Sequence, residues 1–233
     1  LQKYPGAGFA ITDYQDFDES GVTRHSQLNN YPRARAWFER YRVEVSDLAY
    51  GSIYADLLHE NLINNCSVLV RRDVLEVIGV FDEAFTIGED HDLWLRIAQK
   101  YPVLCVNRVL CGYRYRPQSL CGPREARWSR YYRSDICVLE KHVRNGWVPG
   151  ALMPLVKKEL GFRYWALGWN LFSENRLFEA RSFFWQGVWN EPFHRLFWLY
   201  LCASFLPLTI VEAIRRMKHW GRAFQDRPET AQR

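Results

Sequence analysis

Every strand-like run in this chain lies before Pro117, and the remainder is written in helical periods. That partition rules out one continuous sheet and calls for an α/β part followed by an all-α part. Phe9-Ala10-Ile11-Thr12 reads as a strand that leaves the core into a polar turn holding Asp13, Asp16, Asp18, Glu19 and Gly21. Residues 22–46 are polar and lack clean periodicity. Leu48, Ile53, Leu57 and Leu58 predict a helix ending before Asn61, and Leu62 to Val70 predicts a buried strand. Asp73 caps a short helix, Val74 to Ile78, that Gly79 stops. Val103 to Val106 and Val109 to Tyr115 read as two strands interrupted by Asn107 and Arg108. Beyond the expected boundary near Gly122, helices are predicted over 124–144, 152–172, 177–189 and 195–218, with breaks at Pro154, Asn175 and Pro192. The expected domains are residues 1–121 and 122–233.

Between the α/β strands sits Gly88-Glu89-Asp90-His91-Asp92-Leu93-Trp94-Leu95-Arg96. Leu93, Ile97 and Tyr101 recur at i, i+4 and i+8, so one stripe points inward while Glu89, Asp90 and Asp92 gather at the amino end of the helix. Acids there offset the helix dipole and cap free amides. The same placement puts the acids at a cleft-facing helix mouth and makes this segment the best candidate for chemistry, with His91 a partly exposed spacer.

The 233 residues are 48% hydrophobic, enough for a packed core, which argues against a disordered chain. Charge is unevenly shared: residues 1–99 hold nine Lys/Arg against 16 Asp/Glu, and residues 100–233 hold 22 against ten. The net values, −7 and +12, give the two halves different partners. No zinc-finger spacing, RNA-recognition signature or long basic block accompanies the positive half, so nucleic acid is not expected. The six cysteines form no C-x-x-C pair and read as reduced thiols in the cytosol, packed as small hydrophobes. Neither a start Met nor a signal peptide precedes Leu1, and the chain is expected to begin inside a longer product.

From Asn64 onward a series of short motifs falls in one order: Asn64-x-x-Ser67 with Arg71-Arg72, Val74-Leu75-x-x-x-Gly79, Phe81-Asp82-Glu83, Gly88-Glu89-Asp90-x-Asp92-Leu93-Trp94-Leu95-Arg96, and Tyr113-Arg114-x-Arg116-x-x-Ser119. In this order the chain resembles the second half of a family 2 glycosyltransferase catalytic domain, over residues 1 to about 119. The resemblance implies a partial GT-A fold lacking its amino-terminal nucleotide-binding half. It also implies an inverting transfer from a nucleotide-sugar donor to a saccharide or lipid-linked acceptor, in bacterial surface polysaccharide or glycolipid assembly. Asp90 matches the family's catalytic base, Glu89 would orient the loop or hydrogen-bond the acceptor, and Asp92 and Arg116 are expected to bind substrate. A positioned carboxylate suits such chemistry, because the acceptor hydroxyl must lose its proton as it attacks.

Divalent cation binding, by Mg or Mn, is implied for the full-length enzyme through a D-x-D motif that lies outside this chain. Asp16-Phe17-Asp18 has that spacing but falls in the turn after the first strand, and reads as a surface turn. Arg116 stands where many family members carry a metal-binding His; a guanidinium cannot ligate a cation but pairs well with a diphosphate oxygen. A solvated basic residue at a strand end is the other reading. Arg71, Arg72 and Arg96 read as ion-pair partners that support the fold. A degraded, noncatalytic remnant serving as a protein- or membrane-interaction module is the competing expectation for the whole.

In the helical half, Leu167-Gly168, Ala180, Phe184, Gly187 and Pro192 make residues 161–192 similar to one tetratricopeptide hairpin. Tyr164, Leu167, Leu171, Phe183, Phe184 and Trp189 are expected to pack against neighbouring helices. Leu196 to Val211 runs 16 residues without a charge, short of the ~20 needed to span a bilayer. It fits either a buried terminal helix or an interfacial one, with Trp198, Tyr200 and Trp220 near headgroups and Arg215, Arg216, Lys218, His219 and Arg222 on anionic lipid. The expected location is cytoplasmic, with peripheral contact at the inner face of the plasma membrane.

Overall fold

The structure is a computed structural model that describes residues 1–26, 28, 30–44, 46–116 and 124–211. The chain divides into two compact units, one through Arg127 and the other from Trp128 on. Gly122, the expected boundary, lies outside the described residues, as do Pro117, Ser119, Cys121 and the segment from Glu212 onward.

The first unit is mixed α/β. Strand β1 (Phe9–Asp18) turns through Glu19 and Ser20 into β2 (Gly21–Arg24). The Ser20 amide and hydroxyl both donate to the Asp18 carboxylate, and Gly21 takes φ +117°, a value that favours glycine. These two bonds hold the exposed Asp18 carboxyl below its ordinary value. The strand thus runs through Asp16, which pairs with Arg24 at 3.6 Å, and only Asp18 borders the turn. Helix α1 (Pro32–Tyr41) starts at a proline, which is tolerated in a first turn, and buries Ala34, Trp37 and Phe38. It fills part of the stretch without clean periodicity.

Strand β3 (Leu48–Gly51) and helix α2 (Tyr54–His59) replace the single helix expected over 48–58. Antiparallel pairing of Leu48–Gly51 with Val103–Val106 overrides local helical spacing there. The buried strand expected over 62–70 is also shorter. The Asn61 side chain accepts the Ile63 amide and Asn64 accepts the Cys66 amide, so these backbone donors turn inward to side chains and a 3₁₀ turn forms over Asn65–Ser67. Only β4 (Val68–Val70) remains, with Leu69 exposed. Helix α3 (Arg72–Ile78) ends as expected at Gly79, whose φ is +87°.

Helix α4 (Glu89–Lys100) leads into β5 (Val103–Arg114), one strand where two were expected. Asn107 and Arg108 do not end it; the register against β1 jumps from Thr12↔Val106 to Asp13↔Val109, so the surplus residues bulge while pairing continues. The sheet runs β2-β1-β5-β3 with β4 on β1, and β1 and β5 are parallel. Phe9 of β1 stacks on Trp94 of α4 at 6.3 Å between ring centroids. Burial of such a side chain contributes roughly 1.5–3 kcal/mol.

Helix α5 (Arg124–Arg144) spans the division between the units. The second unit continues with α6 (Met153–Ser173), α7 (Leu177–Asn190) and α8 (Arg195–Ala203), and holds no strand among its described residues. Pro154 lies in the first turn of α6, where it starts the helix. Gly168 lets the Phe184 ring lie against α6, and Gly187 does the same for Phe197. Between α5 and α6, buried Arg163 pairs with Asp135 at 3.2 Å and with Glu159 at 2.7 Å. The helix expected over 195–218 stops at Ala203, four residues before Pro207. Trp189 departs from the expected packed stripe and is 78% exposed, whereas Tyr164, Leu167, Leu171 and Phe184 are buried. Tyr200, expected near lipid headgroups, is instead buried among Trp169, Phe172 and Phe184.

Candidate active site

Helix α4 begins after Gly88, which adopts the left-handed region at φ +86° and offers no capping side chain. Its carbonyl accepts the Asp92 amide and so opens the helical ladder. Glu89 and Asp90 follow in the first turn, where the helix dipole favours negative charge. At the other end the Tyr101 amide reaches the Ile97 carbonyl and Pro102 prevents continuation.

Asp90 is partly accessible. Burial raises its carboxyl above the ordinary value and the neighbouring Glu89 charge adds to the rise. The His91 amide, 2.7 Å from Oδ1, and the Asn61 side chain work the other way. Desolvation outweighs these bonds. The result is a carboxylate with increased proton affinity at an open helix mouth.

His91 is not the partly exposed spacer expected. It is 1% exposed, and its Nε2 lies 2.7 Å from the Leu57 carbonyl, tying α4 to α2. Asp92 is fully buried, and its Oδ2 accepts from Arg96 Nε at 2.9 Å, one turn along the helix. Arg96 also donates to the carbonyls of Ile78 and Val80 at 3.0 and 2.7 Å. The pair fixes the loop after α3 against α4, as expected of Arg96. A substrate contact at Asp92 would require opening that pair. Glu89 and Asp90 are therefore the acids of this cluster that retain access to solvent.

Arg116 is exposed and belongs to a different element, two residues past the end of β5. Arg71 pairs with Asp73 at 3.2 Å and reaches the Pro5 carbonyl. Among the described residues no three His, Cys, Asp or Glu side chains are grouped to hold a metal ion.

One polar contact carried no sequence signal, and Asp13, expected in the polar turn, lies instead inside β1. Asn61 contacts Asp90 from the end of α2, a link that depends on folding and on no local period. Asp13, in mid-strand, is 3% exposed and accepts the amides of Tyr14 and Leu28 and the Ser26 hydroxyl at 2.8, 2.9 and 2.6 Å. Its carboxyl oxygens are thereby satisfied by a donor from β1 and two from the chain beyond β2. Nearby, burial is the main cause that lifts the Tyr14 phenol above its ordinary range.

No family model, curated protein or solved structure matches the chain.

Proposed function

We propose that this chain is the acceptor-side part of an inverting glycosyltransferase of family 2 type and GT-A architecture, with Asp90 as general base. The observation that supports it most is the state of Asp90: an accessible carboxylate made more basic by burial, in a helix mouth braced by the Asp92–Arg96 pair. The ordered motifs from Asn64 to Ser119 supply the context. The acceptor hydroxyl gives its proton to Asp90 as its oxygen bonds the anomeric carbon, and the bond to the nucleoside diphosphate breaks on the opposite face. Glu89 orients the acceptor, and Arg116 pairs with a diphosphate oxygen. The divalent cation that the resemblance implies would be held in the complete enzyme through the D-x-D motif expected outside this chain. No step assigned here runs through it.

The test is Asp90→Asn in the complete enzyme. Transfer falls by about 10²–10⁴-fold, because a positioned base contributes that much, while the acceptor KM changes little. Near-normal turnover rejects Asp90 as base. In the wild-type enzyme the acid limb of kcat lies above the ordinary Asp value of 3.8. The present chain alone shows little transfer, and robust donor hydrolysis by it would overturn this placement of the nucleotide.

A noncatalytic remnant that serves as an interaction module is the second reading, favoured by the exposed aromatic side chains of the helical unit. An active complete enzyme that loses transfer with Asp90→Asn excludes it.

A further inference from the structure

The helical unit displays rings that its own folding does not use. On α7, Phe178, Trp185 and Trp189 recur at intervals of seven and four residues, on one side of the helix, and all three are exposed. Phe193, in the turn to α8, is 96% exposed, and Trp198 and Phe205 extend the series. Two bridges join these rings across elements. The Arg181 guanidinium lies 4.3 Å from the Phe205 ring and 5.9 Å from that of Phe178, and donates to the Ser204 carbonyl. At the opposite end of α7, the Trp198 indole donates to the Pro192 carbonyl at 2.8 Å, beside Phe193.

An exposed apolar area of this kind marks an interaction site in a folded protein. Its chemistry selects the partner. Rings with a polar edge, as in tryptophan, concentrate at membrane interfaces. The segment from Pro192 to Val211 contains no Asp or Glu, and carries His194 and Arg195. Arg181 sits between two of the rings, and the sequence after Val211 adds Arg215, Arg216, Lys218 and Arg222. Aromatic anchors with Arg181 between them, followed by a basic stretch of sequence, complement an anionic lipid surface, whereas a second copy of this chain would bring like charge against like.

We propose that the exposed faces of α7 and α8 form a docking surface for an anionic bilayer, seated at headgroup depth. Among the described residues no helix is long and apolar enough to cross a membrane; the contact proposed is a peripheral one. The buried alternative of the sequence expectation holds for the inner face of α8, where Phe197, Tyr200 and Leu201 are buried; the interfacial one is kept for its exposed face, and α7 and Phe193 enter it for the first time. The inference is independent of the transfer chemistry.

The experiment is flotation of the intact chain with vesicles of phosphatidylcholine alone or mixed equally with phosphatidylglycerol, at low and high salt. Wild type floats with the mixed vesicles and less so at high salt. Trp185→Ser combined with Trp189→Ser weakens binding roughly ten- to a hundredfold, as expected for loss of two apolar anchors. Both positions are solvent-facing, and unchanged circular dichroism confirms the fold. Absence of flotation at low salt overturns the proposal. So does binding that the double variant leaves unchanged, which would assign it to the basic residues alone. A wild-type dimer that ignores vesicles would identify a second copy as the occupant and overturn it too.

Discussion

Replacing Asp90 by Asn removes a charge that the folded chain holds at a disadvantage. Because burial raises this carboxyl, the folded state binds its proton more tightly than the unfolded state does. That contribution is fully present below the ordinary value of 3.8 and is lost as pH rises through the higher folded value. Asp90→Asn is therefore more stable than wild type at neutral pH, and the gap closes toward pH 3.8; thermal melts across pH check the sign. A gain in stability paired with a loss of transfer is the signature of a site kept for chemistry. Asp92 behaves in the opposite way. Asp92→Asn leaves Arg96 without its counter-charge in a largely closed environment and lowers stability by about 3–5 kcal/mol in urea unfolding, while a loss under 1 kcal/mol would mean that the pair is not structural. At this scale the sequence placed the acids correctly on one helix mouth but did not separate them. Three carboxylates in one turn look alike as letters; only the path of Arg96 to Ile78 and Val80 shows which acid is engaged inside. His91 departs from its expected exposure for the same reason, since the Leu57 carbonyl beside its ring comes from another helix.

Elements were legible where their stop signals are local. Gly79 marks the end of α3 in the sequence, and α3, α4, α6 and α7 emerge near the expected residues, although α4 ends at Lys100, one residue before the expected stripe does. Strands were harder, because β3 exists through its pairing with β5, and the Asn107–Arg108 interruption is absorbed as a bulge. The α7–α8 contact offers a direct check of packing at this scale. A methyl group at Gly187 would fall 2.3 Å from the Phe197 ring, and that ring is buried. Gly187→Ala lowers stability by about 1–3 kcal/mol through overpacking, although alanine is the better helix former. A variant that melts at or above the wild-type temperature would show that the two helices separate freely.

At the scale of the whole chain, the division into two compact units implies that unfolding is not one all-or-none event. Calorimetry should resolve two transitions, with Asp92→Asn lowering one and Gly187→Ala the other. A single transition moved equally by both substitutions would show that the units melt together. The division falls within α5, and a helix reads the same on both sides of it, so its place carries no sequence signal. The exposed aromatic surface was equally hidden: periodicity groups Trp189 with an apolar stripe, and only the folded helices reveal that it faces outward. The stack of Trp94 on Phe9 has an optical consequence. Trp37 and Trp94 are the two tryptophans of the first unit, and both are buried. Trp94 lies one helical turn after Asp90, held against Phe9 and edge-on to Phe81, so its ring is fixed in a chiral surrounding. The helix that carries the proposed base thus contains its own chromophore, and near-ultraviolet dichroism of the unlabelled protein reports on that helix as Asp90 gains or loses its proton.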